Sequence, residues 1–356
     1  MKRTNFNSRS MMIFSLIAIV AVSSIFFIFP NGIDAQQSEK TFVTHTGGIV
    51  KTTGEVLDPL YTSATMEFDP MEYLRDFDYG KVSQLPDGTT LREYTIVAED
   101  DKVMEVSPGV FYNAWTFNGS VPGPTIRATE GDLVRINFIN NGSKEHTMHF
   151  HGIHPAGMDG VFEPVGGGGG QFTYEFFAGP VGVHPYHCHV MPLEEHIVHG
   201  LYGVFIVDPK EGREPADEMV MVLNGLDTDF DTENNFYAAN TIPFYYQHHP
   251  IQIQTGELIR IYVVNMLEFD PINNFHLHGN LYRYNPTGTD TDSFYTDMIT
   301  LSQTERGIME FSYDYPGKYL FHAHKVEFSE KGWAGLFLVE GETLAKTVKD
   351  MDYGTG

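Results

Sequence analysis

Four His-x-His pairs occur along the sequence, and one of them encloses the single cysteine of the chain. In a β-strand, successive side chains point to opposite faces, so both histidines of a pair share one face and can bind metal from the same side. Eight imidazoles exceed the about four ligands of one zinc or copper ion, which predicts a metal cluster. The pairs are His149 and His151, His187 and His189, His276 and His278, and His322 and His324.

Cys188 lies between His187 and His189, so a strand at this position sends its thiol to the opposite face and one strand can serve two metal sites. Since the chain has one cysteine, no intrachain disulfide can form. A blue-copper centre requires a thiolate, two imidazoles and a weak axial group. His146 and His196 are the nearest candidates for the two imidazoles.

The remaining positions of this mononuclear site stay open at the level of sequence. His199 is an alternative to His196 as the second imidazole. Leu201 would occupy the axial position without coordinating copper, and a site without an axial sulfur donor should have a raised reduction potential. Met191 is the alternative axial group.

The pattern is duplicated within the chain. Gly-Asp-Leu-Val-Arg-Ile at residues 131–136 reappears as Gly-Glu-Leu-Ile-Arg-Ile at residues 256–261, and each copy precedes a His-x-His-Gly motif and then a second pair. Between the motifs, β-branched and aromatic runs are punctuated by Gly, Pro, Asn and Asp, which predicts an all-β fold of antiparallel sandwiches. The predicted segments are an export segment at 1–35, an extension at 36–88, domains at 89–212 and 213–345, and a tail at 346–356.

His146-x-x-His149-x-His151-Gly152, together with His187-Cys188-His189, resembles the pair of motifs that defines multicopper oxidases, and the resemblance covers about residues 90–345. It implies two cupredoxin-like Greek-key β-sandwich domains. It also implies about four coppers per chain, namely one type 1, one type 2 and two type 3. The type 2 ligands implied are His149 and His276, and the type 3 ligands implied are His151, His187, His189, His278, His322 and His324.

The second domain departs from the family pattern of the first. Asn273 stands where the first domain has His146, and Ala323 stands where it has Cys188. The type 1 copper is therefore expected in the first domain alone, as in the two-domain, laccase-like branch related to copper nitrite reductases. This resemblance implies a homotrimer in which each trinuclear cluster forms between the first domain of one subunit and the second domain of its neighbour.

The resemblance also implies a reaction. A small reducing substrate, such as a phenol, a metal ion or hydroxylamine, would give single electrons to the type 1 copper at Cys188. The cluster would reduce O2 to two waters with four electrons and four protons. Asp159, in Met158-Asp159-Gly160, resembles the family's acidic motif and is the first candidate for proton transfer, and Glu327 is the second. His184 could support a ligand histidine by hydrogen bonding.

Two other functions compete with this interpretation. The first is a copper nitrite reductase or another copper enzyme that converts nitrogen oxides. A nitrite reductase would carry an aspartate in place of His149 and no second histidine after the cysteine, whereas both positions are histidine here. A non-catalytic copper-binding or electron-transfer protein would leave the eight paired histidines unexplained. The sequence favours the oxidase over both.

Charge and the N-terminus indicate the environment of the protein. Its 47 acidic and 22 basic residues give a net charge of −25, which argues against a nucleic-acid partner. Lys2, Arg3 and Arg9 precede an apolar run at residues 11–30, which predicts an export signal. Because that run approaches the length of a membrane span, an N-terminal membrane anchor is the alternative. Either way, we expect an extracellular, periplasmic or cell-surface protein.

Overall fold

The computed structural model describes residues 68–289 and 292–344, and before them the backbone of three two-residue strands. The predicted export segment and the predicted tail lie outside the described residues. Within the part of the chain that the structure describes, no helix is both long enough and apolar enough to cross a membrane.

Strands dominate the first half of the described chain. They are β1 (Phe42–Val43), β2 (Ile49–Val50), β3 (Thr65–Met66), β4 (Lys81–Gln84), β5 (Thr90–Ser107), β6 (Val110–Phe117), β7 (Thr125–Thr129), β8 (Leu133–Asn140), β9 (His149–Phe150), β10 (Gly170–Phe177), β11 (Gly182–His187) and β12 (Tyr202–Asp208). The helical elements of this half are α1 (Pro70–Tyr73), a 3₁₀ turn (Ala156–Met158) and α2 (Leu193–Val198).

The second half repeats this composition. Its strands are β13 (Asp217–Leu226), β14 (Phe236–Ala239), β15 (Ile251–Gln254), β16 (Ile259–Asn265), β17 (Asn273–Leu277), β18 (Tyr282–Pro286), β19 (Phe294–Thr296), β20 (Met298–Leu301), β21 (Arg306–Phe311), β22 (Gly317–His322) and β23 (Ala334–Glu340). Its helices are α3 (Tyr245–His248) and α4 (Val326–Glu330). The expectation of an all-β protein is confirmed.

Two sheets of the first half share one hydrophobic core. In the six-stranded sheet, the order is β10-β8-β5-β3 and both β4 and β6 pair with β5, while the four-stranded sheet has the order β7-β12-β11-β9. Along β8, Val134, Ile136 and Phe138 are buried and alternate with partly exposed residues, as a strand with one face on a core requires. Phe205 of β12 reaches the same core from the other sheet.

The second half has the same two-sheet plan. A six-stranded sheet has the order β14-β13-β16-β21-β18-β19, and a five-stranded sheet has the order β15-β23-β22-β17-β20. Ile261 and Met309 from the first of these sheets pack with Phe275 and Phe337 from the second. The fold therefore consists of two sandwiches, as the sequence predicts.

The two sandwiches pack directly on each other. Val204 and Ile206 point away from the core that holds Phe205, because successive residues of β12 face opposite sides. They join a separate apolar cluster that includes Val220 and Val264 of the second sandwich. Both faces of β12 are therefore buried, which explains its continuous run of apolar residues.

Residues 73–75 of the predicted extension contact both sandwiches. Tyr73 donates a hydrogen bond to the carbonyl of Gly123 in the first half, and the fully buried Leu74 belongs to the core of the second. Arg75 forms a two-pronged ion pair with Asp217 of β13. Residues 73–75 thus attach the chain to both sandwiches.

Candidate metal centres

Three donor atoms of the first sandwich converge in a fully buried site. The Cys188 Sγ lies 3.1 Å from His196 Nδ1 and 3.9 Å from His146 Nδ1, and the two Nδ1 atoms are 3.2 Å apart. Cys188 and His146 have no exposed surface, and His196 is 2% exposed. One thiol and two imidazoles that face one point form the donor set of a blue-copper centre, so the residues present fit copper.

Burial prepares these side chains for metal. It lowers the pKa of His146 and of His196 to about 4, so both rings are neutral at pH 7 and each can offer a nitrogen lone pair. It raises the pKa of the Cys188 thiol to about 11. Because copper binds the thiolate, metal binding must release this proton. The backbone N–H of Thr147 lies 3.4 Å from the Cys188 sulfur and donates to it.

The structure separates the alternatives that the sequence leaves open. His199 lies outside the converging group, because its Nδ1 donates to the carbonyl of Asn113 and its ring stacks on Trp115 at 4.1 Å. Leu201 is fully buried, and its carbonyl accepts a hydrogen bond from the backbone N–H of Cys188. Met191 is 75% exposed. This geometry favours His196 and Leu201 over His199 and Met191.

Four histidines of the first sandwich form a second group on the opposite face of the strand. His149 of β9 is paired directly with His187 of β11, and His151 Nε2 lies 2.9 Å from His187 Nε2. The ring of His189 lies 5.1 Å from that of His149. Burial lowers the pKa of His151 to about 3 and that of His187 to about 4, so both rings are neutral at pH 7.

The second sandwich repeats this arrangement. His276 of β17 is paired with His322 of β22, and His278 Nε2 lies 3.0 Å from His322 Nε2. The ring of His324 lies 5.3 Å from that of His276. These rings are more open to solvent than their counterparts, since His278 and His324 are exposed. At the positions equivalent to His146 and Cys188, this sandwich has the buried residues Asn273 and Ala323, which offer no imidazole or thiolate.

Backbone carbonyls orient the rings in the same way in both groups. His149 Nδ1 lies 2.8 Å from the carbonyl oxygen of Asp159, and His276 Nδ1 lies 3.0 Å from that of Asp297. His187 and His322 donate from Nδ1 to the carbonyl of the next residue in the chain. A ring that donates from Nδ1 keeps its Nε2 lone pair free for a metal.

The two histidine groups are separate within one chain. Each has its own converging ligand atoms, those of His149, His151 and His187 in one group and those of His276, His278 and His322 in the other. Among the described residues, no candidate metal group combines histidines of both sandwiches. The buried Nδ1 of His189 has no hydrogen-bond partner in the part of the chain that the structure describes, which fits a metal-ligand atom.

The acidic candidates differ in their surroundings. The Asp159 carboxylate lies 2.9 Å from His149 Nδ1 and 3.5 Å from His154 Nε2. Glu327 lies on α4, 3.1 Å from the ammonium group of Lys331 on the protein surface. The structure therefore connects Asp159 to the paired histidines and directs Glu327 toward a surface ion pair.

Sequence reasoning missed several residues around these groups. Asp297 lies beside His276 as Asp159 lies beside His149, with its carboxylate 3.7 Å from Nδ1. The edge of Trp115 contacts the His196 ring at 5.0 Å. The internal repeat places Asp297 after the second His-x-His, but its sequence context does not resemble that of Asp159. The sequence also suggests that His184 supports a ligand histidine by a hydrogen bond. His184 Nδ1 lies 2.8 Å from the backbone carbonyl oxygen of His151.

Known proteins resemble both halves of the chain. A family model described as multicopper oxidase matches residues 101–212, and a second with the same description matches residues 216–342. A solved multicopper oxidase is 54% identical with a TM-score of 0.75, and the match covers 76% of this chain and 97% of that one.

Copper nitrite reductases are also similar. The copper-containing nitrite reductase of Neisseria gonorrhoeae is 30% identical over 288 residues, which covers 72% of this chain and 72% of that protein. The copper nitrite reductase structure from Nitrosomonas europaea is 26% identical with a TM-score of 0.62, covering 72% of this chain and 98% of that one. The chain belongs to the multicopper oxidase family, is related to the copper nitrite reductases, and is therefore a copper-dependent oxidoreductase.

Proposed function

We propose that this protein oxidises a small reducing substrate one electron at a time at a type 1 copper and reduces O2 to water at a trinuclear copper cluster. The observation that carries the proposal is the presence of four paired histidines in each sandwich, oriented alike in both. Eight imidazoles match the ligand requirement of three coppers, and one mononuclear site would use about four ligands at most.

The candidate copper ligands fall into three sets. Cys188, His146 and His196 would hold the type 1 copper, and the buried Leu201 would add no sulfur ligand. His149 and His276 would hold the type 2 copper. The type 3 pair would be held by His151, His187, His189, His278, His322 and His324. Bound copper would supply one-electron entry at the first site and O2 reduction at the cluster.

The shared strand supports electron transfer between the two centres. Cys188 faces the buried mononuclear site, while His187 and His189 are its covalent neighbours and face the histidine group. A route from the thiolate to either imidazole therefore crosses one peptide bond and two side chains. Asp159, which contacts His149, would accept or donate protons beside the cluster.

The separation of the two histidine groups within one chain supports a homotrimer with shared clusters. Each group supplies half of the ligands, and the group of the second sandwich lies in an open cleft beside Leu281, which is 55% exposed. Nearby on β19 and β20, Tyr295 is 71% and Met298 is 41% exposed. Exposed apolar side chains around an incomplete metal site are suited to burial by another subunit.

Two inactive variants can test whether the cluster is shared. One variant carries His149→Ala and His151→Ala, and the other carries His276→Ala and His278→Ala. When both are unfolded and refolded together, shared clusters predict recovery of O2 reduction, since the intact first sandwich of one chain meets the intact second sandwich of the other. No recovery in mixed trimers would contradict shared clusters, because a cluster within one chain cannot be completed in this way.

Nitrite reduction is the second candidate function, and the similarity to copper nitrite reductases favours it. Against it, His149 stands where that branch would carry an aspartate, and His189 supplies a second histidine after the cysteine. Both rings belong to the histidine group of the first sandwich. We therefore rank nitrite reduction below O2 reduction.

We also propose that the protein is exported, on the basis of the basic and apolar N-terminal sequence.

O2-electrode measurements with phenols, ferrous and cuprous ions, and hydroxylamine test the main proposal, and parallel anaerobic assays test nitrite as the acceptor. We expect O2 consumption with water as the product and no nitrite reduction. Nitrite reduction without O2 consumption would instead support the second candidate.

A further inference from the structure

One nitrogen of the buried mononuclear site is unaccounted for. His146 directs Nδ1 toward the Cys188 sulfur and His196, and its other ring nitrogen, Nε2, is buried without a hydrogen-bond partner among the described residues. An imidazole that binds metal through Nδ1 carries its proton on Nε2, and metal-bound imidazoles usually donate this second N–H to a protein group. Such an N–H needs a nearby acceptor.

The nearest carboxylate is that of Asp100, near the middle of β5. Its Oδ2 lies 3.6 Å from His146 Nε2, and its side chain is 7% exposed. Hydrogen bonds from the backbone N–H groups of Ser143 and Lys144, and from the Ser143 hydroxyl, hold this same oxygen in place. Three donors on one carboxylate oxygen stabilise the negative charge of Asp100.

Gly142 makes this approach possible. A Cβ atom at residue 142 would lie 2.8 Å from Asp100 Oδ2 and 3.1 Å from His146 Nε2. Both distances are too short for an unperturbed contact, so any side chain here would separate the carboxylate from the ring. The close approach of the Asp100 carboxylate to His146 Nε2 therefore depends on a glycine in the turn before His146.

We propose that Asp100 is a positioning residue that fixes the orientation of His146 and lowers the reduction potential of the type 1 copper. A buried negative charge next to a copper ligand stabilises the more positive, oxidised metal ion relative to the reduced ion. The ring of His196 packs instead against Trp115, with the two ring centroids 5.0 Å apart. The effect would oppose the raised potential expected of a type 1 site in which Leu201 supplies no sulfur ligand. The proposal rests on the type 1 site of the proposed function.

The test is spectroelectrochemical titration of the copper-loaded protein, following the blue colour. At the wild-type midpoint potential, Asp100→Asn should increase the ratio of reduced to oxidised type 1 copper by on the order of tenfold. The matched control is Asp101→Asn, which removes the same charge from the adjacent, exposed residue and should change the ratio less than about twofold. Ser143→Ala, which removes one donor but keeps the charge, should behave like the control.

Gly142→Ala provides an independent variant that keeps the carboxylate and displaces it from the ring. It should shift the ratio in the same direction as Asp100→Asn, and it decides the question if Asp100→Asn no longer holds copper. If the wild type is blue and the midpoint potential of Asp100→Asn is unchanged, the inference is wrong. If Asp100→Asn does not hold copper, an unchanged midpoint potential in Gly142→Ala would overturn it instead. A colourless, fully copper-loaded wild type would instead overturn the type 1 site itself.

Discussion

His149 and Asp159 are joined twice, because the Nδ1 atom of the ring lies 2.8 Å from the aspartate's carbonyl oxygen and 2.9 Å from its carboxylate. The backbone contact fixes the ring orientation, and the carboxylate adds negative charge and a proton-accepting group. His276 has a similar pair of contacts with Asp297, although the carboxylate there is farther away, at 3.7 Å. Both sandwiches therefore have the histidine and, beside it, an aspartate whose carbonyl and carboxylate face the ring.

Asp159→Asn should lower the turnover number for O2 reduction by about 10- to 100-fold, because the variant loses the ionisable group beside the cluster. The backbone bond to His149 remains, so copper content and the blue colour should stay near wild type. Steady-state O2 consumption with a fixed reductant measures the effect. Glu327→Gln is the control, since that carboxylate pairs with surface lysines, and it should retain activity within about twofold. Equal losses in both variants would argue against a special role for Asp159.

Cys188→Ser should abolish the blue colour and electron entry but leave the cluster coppers bound, because the histidines on the opposite face are unchanged. Copper analysis should find about three coppers per chain instead of about four. Retention of O2 reduction at the wild-type rate with external reductants would contradict Cys188 as the entry point. Loss of all copper would show that the two centres do not assemble independently.

The ion pairs between the sandwiches should contribute measurably to stability. Arg127 of β7 is 5% exposed and contacts both Asp208 of its own sandwich and Glu218 of the other. Glu218→Gln should lower the free energy of unfolding by about 2–3 kcal/mol, since it leaves a buried guanidinium partly uncompensated. Glu175→Gln, which breaks the more exposed pair with Arg135, should cost less than about 1 kcal/mol. Chemical denaturation of both variants measures the difference.

The copper-free protein should lose stability as the pH falls from about 6.5 toward 4. Burial lowers the pKa of His146, His187 and His196 to about 4, below the about 6.5 of a histidine in an unfolded chain. In this window the unfolded chain binds more protons, so the free energy of unfolding is highest above pH 6.5 and declines in acid.

Denaturation of the copper-free protein across this pH range measures the slope. His146→Asn imitates the asparagine at residue 273 of the second sandwich and should reduce the proton uptake on unfolding by about one. A stability profile that is flat between pH 6.5 and 4, or a slope that the variant leaves unchanged, would contradict buried neutral imidazoles.

The sequence predicts those parts of the site that depend only on the alternation of side chains along a strand. The alternation of His187, Cys188 and His189 assigns their faces without further information, and the internal repeat predicts two sandwiches. Spacing alone could not decide between His196 and His199, because both lie within reach of Cys188 along the chain. The structure favours His196, since Asn113 and Trp115 engage His199 elsewhere.

Residues that tertiary packing brings to the site carried no sequence signal. Asp100 lies far before His146 in the sequence and reaches it because β5 runs beside the turn at Gly142. Trp115 contacts His196 from β6. The packing of Tyr73 and Leu74 against the two sandwiches also could not be predicted, because two apolar residues in a proline-containing segment indicate no specific partner. These contacts depend on how strands far apart in sequence pack together.

Copper analysis of the fully loaded protein, combined with its chain concentration, tests the central claim most directly. The account predicts about four coppers per chain, because one mononuclear site and eight paired histidines together require that number. Two coppers or fewer per chain in a fully loaded sample would contradict the trinuclear cluster.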